Sequence, residues 1–135
     1  MPIFENASEV YRYVGGIYRA AAEHPEVGSQ LAAAALTLRV QHTDPDAVLT
    51  IRLHEPMTVE EGGPGPDADV VLTMPADIAD RYWRGEYNLA VGLAKGKVQA
   101  TGDIARLLPL LPLTKPLFPV YRRMMAGREA DRSAY

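Results

Sequence analysis

The apolar residues near the start of the chain recur every three to four positions, which predicts an amphipathic helix over residues 10–21. Asn6 and, three residues later, Glu9 form a capping pattern at its start, in which side chains bond to the first free backbone N–H groups. The adjacent Gly15 and Gly16 cost this helix about 1 kcal/mol each relative to alanine. We therefore expect another element to pack closely against the helix at these two residues.

From residue 36 the apolar period changes to two, which is typical of strands that bury one face. Residues 36–43 and 48–53 alternate in this way on either side of the turn Thr-Asp-Pro-Asp at residues 43–46. Proline and aspartate suit a tight turn, so the three segments together predict a β-hairpin. Further strands are expected at residues 57–61, 69–74 and 98–101.

The last third of the chain is apolar, interrupted by prolines and predicted to be helical. Asp103 stands where its side chain can cap a helix that begins at Ile104. Pro109 ends this helix early because proline lacks the N–H that a helix interior needs. A final helix is expected to end by Gly127. Helices, then mostly antiparallel strands, then helices again predict an α+β fold, with one domain over residues 1–127 and a polar, disordered tail over residues 128–135.

Composition narrows the chemistry that the chain can perform. There is no cysteine, which excludes disulfides and thiolate chemistry, and the three histidines (His24, His42, His54) lack zinc-site spacing. We expect each histidine to be structural or solvated, and we expect no metal and no cofactor. No secretory pattern and no apolar run of about 20 residues is present, which predicts a soluble, cytoplasmic protein. The net charge of −3, with no basic cluster beyond Arg122 and Arg123, disfavours nucleic-acid binding.

Apolar residues near the C-terminus exceed what one small core requires. Residues 107, 108, 110 and 111 are leucines and surround much of one short helix. Met124 and Met125 add adaptable apolar side chains of the kind found in promiscuous binding sites. A helix of this composition is either buried on several sides or borders a cavity, and the residues alone leave a plain core and a ligand tunnel open.

The order of segments resembles the sterol carrier protein 2 (SCP-2) domain family over residues 10–125. Residues 69–73 (DVVLT) and 96–103 (GKVQATGD) look like that family's D-V-x-L-T strand and its G-K-x-x-x-x-G-(D/N) signature. The resemblance implies a five-stranded, mostly antiparallel sheet covered by helices, with an apolar tunnel between sheet and C-terminal helices. The tunnel would bind a sterol, fatty acid, fatty acyl-CoA or similar lipid. By position its lining would be Trp83, Tyr87, Leu89, Leu93, Leu107, Leu111, Phe118, Tyr121 and Met124.

The chain lacks a peroxisomal C-terminal signal, which favours a stand-alone, bacterial type of this domain. Our leading hypothesis is non-catalytic binding of a hydrophobic small molecule, with transient contact to a membrane surface. A second hypothesis is an interaction module that covers its apolar face by forming a homodimer or by binding a partner enzyme. A third is a small lyase or isomerase for a lipid-like or polyketide substrate, which needs Asp77, Asp80 or Glu86 in a dry pocket with a raised pKa. Helix capping and polar surface positions are the alternative, non-catalytic explanation for these three carboxylates.

Overall fold

The segments of alternating polarity form one five-stranded sheet in the computed structural model, which describes residues 3–62 and 67–133. The strands are β1 (Leu36–Thr43), β2 (Ala47–Leu53), β3 (Thr58–Glu61), β4 (Val70–Pro75) and β5 (Gln99–Gly102). Their order across the sheet is β3-β2-β1-β4-β5. Only β1 and β4 are parallel neighbours within the described residues, and the other pairs are antiparallel. The α+β fold with a mostly antiparallel sheet is therefore confirmed.

The pairing register gathers apolar side chains on one face of the sheet. Leu38, Val40 and His42 share that face because side chains two residues apart along a strand point the same way. His42 lies beside Ala47 of β2 and Met74 of β4. Each of these five side chains is at most 6% exposed. One face of the sheet is thus almost fully covered by the rest of the chain.

Helices cover the buried face of the sheet. The helix α1 (Ala7–Glu23) packs against β2 and β3, and α3 (Ala76–Trp83) packs against β1 and β4. Within residues 3–62 and 67–133, no helix combines the length and apolar character that a membrane crossing requires. The helical elements are α1 (Ala7–Glu23), α2 (Val27–Ala32), α3 (Ala76–Trp83), α4 (Leu89–Ala94), α5 (Ile104–Leu107), a 3₁₀ segment (Leu108–Leu117) and α6 (Phe118–Ser133).

The predicted features of α1 are present. The Asn6 side chain accepts a hydrogen bond from the N–H of Glu9 (3.0 Å), and the Glu9 carboxylate accepts one from the N–H of Glu5 (2.8 Å). A Cβ at Gly16 would lie 2.8 Å from the terminal methyl carbon of Met124 in α6. The glycine therefore permits a close approach of two helices, which confirms the expectation for this part of α1.

Gly102, at the end of β5, occupies a position that a side chain would not fit. Its φ is +93°, and an added Cβ would collide with the carbonyl oxygen of Asp69. The Asp69 carboxylate accepts a hydrogen bond from the N–H of Thr37 (2.7 Å), which ties it to the start of β1. The predicted side-chain cap by Asp103 is wrong: its carboxylate makes no capping bond and lies 3.8 Å from the guanidinium of Arg106.

The last helix continues beyond Gly127, where it was predicted to end. Arg128 is only 4% exposed, and its guanidinium donates hydrogen bonds to the carbonyl oxygen of Ile3 and to the carboxylate of Glu9 (3.1 Å). Residues 128–133 are therefore helical rather than a disordered tail, because a buried arginine joins this part of α6 to the N-terminal segment. The final two residues of the chain lie outside the described part.

Candidate functional site

A cavity lies between the buried face of the sheet and the helices. The cavity volume that is accessible to the centre of a water molecule is about 60 Å³, which is room for a few water molecules. Twelve of its seventeen lining residues are purely apolar, and the other five carry a hydroxyl group or ring nitrogens. The lining is Val14, Tyr18, Leu31, Leu38, Val40, His42, Leu53, Leu72, Met74, Ala79, Tyr82, Trp83, Leu89, Leu107, Leu110, Leu111 and Thr114.

The hydroxyl groups of the lining are bonded to protein atoms. Thr114 donates to the carbonyl oxygen of Leu111 (2.7 Å), so the Tyr82 hydroxyl is the donor in its 2.6 Å bond to Thr114 Oγ1. Burial raises the pKa of Tyr82, and this tyrosine therefore keeps its proton at neutral pH. Tyr18 bonds to Trp83, and burial raises the pKa of Tyr18 as well. These groups are already satisfied before any ligand binds.

His42 is the exception among the polar residues of the lining. Its Nδ1 lies 3.1 Å from the carbonyl oxygen of Ala47, and its Nε2 is buried without a hydrogen-bond partner in the described part of the chain. Burial lowers the pKa of His42, since a charged ring is poorly solvated here. The sequence contained a signal for this position, because His42 follows Val40 by two residues on the apolar face of β1.

Four of the nine residues expected to line a tunnel do line this cavity. They are Trp83, Leu89, Leu107 and Leu111. The remaining five lie outside the lining. Sequence reasoning also missed every lining residue of the sheet, because apolar strand residues give no sign of whether they face another side chain or a space. The five outside the lining are Tyr87, Leu93, Phe118, Tyr121 and Met124.

Four of these five residues pack against other parts of the protein. Phe118 makes an edge-to-face contact with Tyr82 (5.6 Å between ring centroids). Met124 approaches the backbone of α1, as described above. Leu93 packs against the core, and the ring of Tyr87 lies 5.2 Å from the guanidinium carbon of Arg81. Their apolar character serves the packing of helices in this structure.

The fifth residue, Tyr121, belongs to a buried polar network with Asp80. Its hydroxyl donates to Asp80 Oδ1 (2.8 Å), and Arg84 Nε donates to both carboxylate oxygens of Asp80 (3.0 and 2.9 Å). Asp77 accepts a hydrogen bond from a backbone N–H near the N-terminus (3.0 Å), and Glu86 is exposed. No acidic side chain of the described residues lines the cavity. The lyase or isomerase hypothesis required one of these three carboxylates there.

The leucines of the C-terminal third are mostly covered within the chain itself. Leu107 and Leu117 are buried, while Leu110 and Leu111 are half-buried against the core. Among the residues with a described placement, Val91 and Leu108 are the large apolar side chains that are exposed, at 43% and 42%. The apolar surplus that motivated the interaction-module hypothesis is thus largely covered within the chain, partly in the cavity wall and partly in the core. The described residues also contain no group of three potential metal ligands.

Comparison with solved structures identifies the fold. Sterol carrier protein 2 from Yarrowia lipolytica (apo form) superimposes with a TM-score of 0.65 at 17% identity, over 83% of this chain and 93% of that one. The ubiquinone synthesis protein UbiJ-SCP2 gives 0.61 at 18% identity, over 87% and 95%. The similarity to SCP-2 domains that the sequence suggested is therefore confirmed for the fold.

A third similar structure is much larger than this chain. The stereoselective inverting sec-alkylsulfatase Pisa1 from Pseudomonas sp. gives a TM-score of 0.56 at 22% identity, over 63% of this chain. This chain spans only 14% of that enzyme's length, so the likeness concerns a small part of the sulfatase. No protein-family model matches the sequence, and no curated protein matches it.

Proposed function

We propose that this chain, which has the SCP-2 fold, binds one apolar, lipid-like molecule between its sheet and its helices without changing it chemically. The observation that carries the proposal is the cavity, whose wall is apolar except for the polar atoms of five side chains. A sterol, a fatty acid, a fatty acyl-CoA or a similar lipid is the class of ligand that such a wall favours. A carrier of this kind would exchange its ligand during transient contact with a membrane surface.

The cavity is smaller than such a ligand, so part of its wall must move outward on binding. The 3₁₀ segment is the part best suited to do so. Pro109, Pro112 and Pro116 have no N–H to donate, and 3₁₀ hydrogen bonds have poorer geometry than those of an α-helix. The segment also supplies Leu110 and Leu111 to the lining. A displacement of these two side chains would lengthen the cavity without disturbing the sheet.

The affinity for an apolar chain can be related to its length. Each methylene group transferred from water to an apolar site contributes about 0.8 kcal/mol, which corresponds to about a fourfold increase in affinity. Ordering of the ligand and the association itself oppose this gain. Affinity should therefore rise in regular steps with chain length and stop rising once the wall can move no further.

The test is isothermal titration calorimetry with primary alcohols from 1-hexanol to 1-decanol. We expect 1:1 binding whose affinity increases about fourfold per added carbon over the shorter members. Leu111→Trp fills the cavity and should abolish binding, while Leu108→Trp, on the same segment but exposed and outside the lining, should leave it intact. The proposal is contradicted if no alcohol binds, or if the two folded variants lose the same amount of affinity for the alcohols.

The geometry favours binding over catalysis. The buried carboxylate of Asp80 is held by Arg84 and Tyr121 and lies outside the lining. The ionisable groups that do line the cavity are His42, whose pKa is lowered by burial, and two tyrosines, whose pKa is raised by burial so that they keep their protons at neutral pH. The one base in the described lining is His42, which is oriented by the carbonyl oxygen of Ala47. Its lowered pKa makes it a weak base, and no described carboxyl group lines the cavity beside it as a second catalytic group.

A further inference from the structure

His42 gives the cavity one hydrogen-bonding atom that no described residue satisfies. The side chain is 3% exposed, and Nε2 has no partner. Buried polar atoms in native proteins are nearly always bonded, so an unpaired one on a residue that lines a cavity indicates a group that is supplied from elsewhere. The only other buried side-chain atom of this kind in the described residues is Nε of Arg128, which does not line the cavity.

The hydrogen bond at the other ring nitrogen determines what Nε2 can do. The carbonyl oxygen of Ala47 can only accept, so His42 Nδ1 carries the proton in the neutral ring. Nε2 is then a bare acceptor. Burial keeps the ring neutral by lowering its pKa, and no acidic side chain of the described residues lines the cavity to favour the charged ring. The atom therefore accepts hydrogen bonds and does not donate them.

We propose that the ligand of this cavity carries a hydroxyl group, or an equivalent uncharged donor, that bonds to His42 Nε2. This inference rests on the proposed function and deepens it, because it distinguishes alcohols from the other lipid classes that an apolar wall alone would accept. An ether or ester offers no proton to Nε2. An ionised carboxylate would place a second acceptor against the first and would also have to lose its hydration in an apolar site.

The position of His42 also orients the ligand. Lining residues of β1 extend from Leu38 to His42, about 13 Å at roughly 3.3 Å per residue, and His42 stands at one end. Leu53, which pairs with Leu36, lies beyond Leu38 at the opposite end. The hydroxyl group is thus placed near the hairpin turn, while the apolar chain extends along β1 towards α2 and α5.

The binding experiment compares 1-octanol with its isomer heptyl methyl ether and with octanoate. Trp83 is the only tryptophan of the chain and lines the cavity, so its fluorescence reports binding of each probe. A hydrogen bond to an otherwise unpaired buried acceptor is expected to make 1-octanol bind about tenfold more tightly than the ether, since water competes for the same acceptor. In His42→Phe this ratio should fall to about one. The control His54→Phe changes an exposed histidine and should keep the ratio.

A spectroscopic measurement on the unmodified protein keeps the inference testable if His42→Phe does not fold. The ¹⁵N resonance of His42 Nε2 should shift upfield when 1-octanol binds, as expected for an acceptor nitrogen that gains a hydrogen bond, and should not shift with the ether. Equal affinities of the two isomers together with an unchanged Nε2 resonance would overturn the inference but leave the proposed function standing. Failure of every probe to bind would overturn both.

Discussion

Removal of the Tyr121 hydroxyl tests whether this residue supports the fold or the ligand. The side chain is fully buried and donates a 2.8 Å hydrogen bond to Asp80, a residue that is only 2% exposed. Burial first, and the neighbouring carboxylate second, raise the pKa of Tyr121, so the hydroxyl keeps its proton and remains a donor. Tyr121→Phe deletes this bond and leaves Asp80 paired with Arg84 alone.

The expected loss in the free energy of unfolding follows from the charge of the acceptor, the Asp80 carboxylate. A hydrogen bond to a charged group contributes about 1.5–3 kcal/mol to stability. Because Asp80 is buried, its carboxylate cannot replace the lost bond with one to water. With a urea m-value of about 2 kcal/mol per molar, the midpoint of unfolding should fall by about 1 M. Tyr87→Phe is the matched control, because Tyr87 is only half-buried and lies outside the network, and it should change the free energy of unfolding by less than about 0.5 kcal/mol.

Binding provides the second readout of the same variant. Tyr121 does not line the cavity, so the affinity for 1-octanol should stay within about twofold of the wild-type value while the protein is folded. A stability equal to that of the wild type would refute the energetic reasoning. A large loss of affinity in a folded Tyr121→Phe protein would show instead that Tyr121 belongs to the ligand site, as the sequence resemblance implied.

Three further perturbations test other parts of the structure. Gly102→Ala should prevent stable folding because its Cβ meets a backbone carbonyl, whereas Gly96→Ala, also at positive φ but in open space, should cost only about 1 kcal/mol by urea denaturation. Arg128→Met should lower stability by about 2–4 kcal/mol, whereas the exposed Arg123→Met should not. Because burial lowers the pKa of His42 from its usual 6.5, the unfolded chain takes up a proton at a higher pH than the folded chain does. The free energy of unfolding should therefore decrease below pH 6.5, and His42→Phe should remove that part of the decrease.

Local periodicity was sufficient to predict the hairpin but not the neighbours of each strand. The alternation over residues 36–53 indicated both the strands and their buried face, since these depend on residues close in sequence. The parallel pairing of β1 with β4 depends on how the intervening chain returns across the sheet. Nothing in the composition of residues 70–75 encodes that choice, although their two apolar faces did indicate a strand inside the sheet.

The C-terminal region shows why polarity alone misplaced the end of the last helix. Residues 128–133 look like a tail because they are mostly charged or small, yet the side chain of Arg128 on α6 is buried against α1 and the residues before it. Its guanidinium carbon lies 5.6 Å from the centre of the Phe4 ring and 5.5 Å from that of Tyr13. An arginine can be buried when its donors and its flat face are both used, and those partners are more than 100 residues away in sequence.

The candidate site was only partly predictable for a similar reason. Leu107 and Leu111 were identified by the leucine-rich pattern, and they do line the cavity. Tyr121 and Met124 belong to the same apolar region but pack into the core, because core and cavity wall require the same residue types. The sequence pattern therefore located the side of the sheet on which a cavity forms, whereas the residues that face the cavity depend on contacts between elements far apart in sequence.

The distribution of polar contacts supports the proposal that one wall of the cavity moves while the rest stays fixed. Asp80 joins α3 to α6 through a charged network that is costly to open. The 3₁₀ segment between α5 and α6 is held at one end by Arg106, which donates to carbonyl oxygens beside α2, and in its middle by the Tyr82–Thr114 bond. Bonds between neutral or exposed groups are worth roughly 1 kcal/mol each, a cost that burial of two methylene groups offsets. We therefore expect a ligand of the proposed class to displace this wall without opening the core.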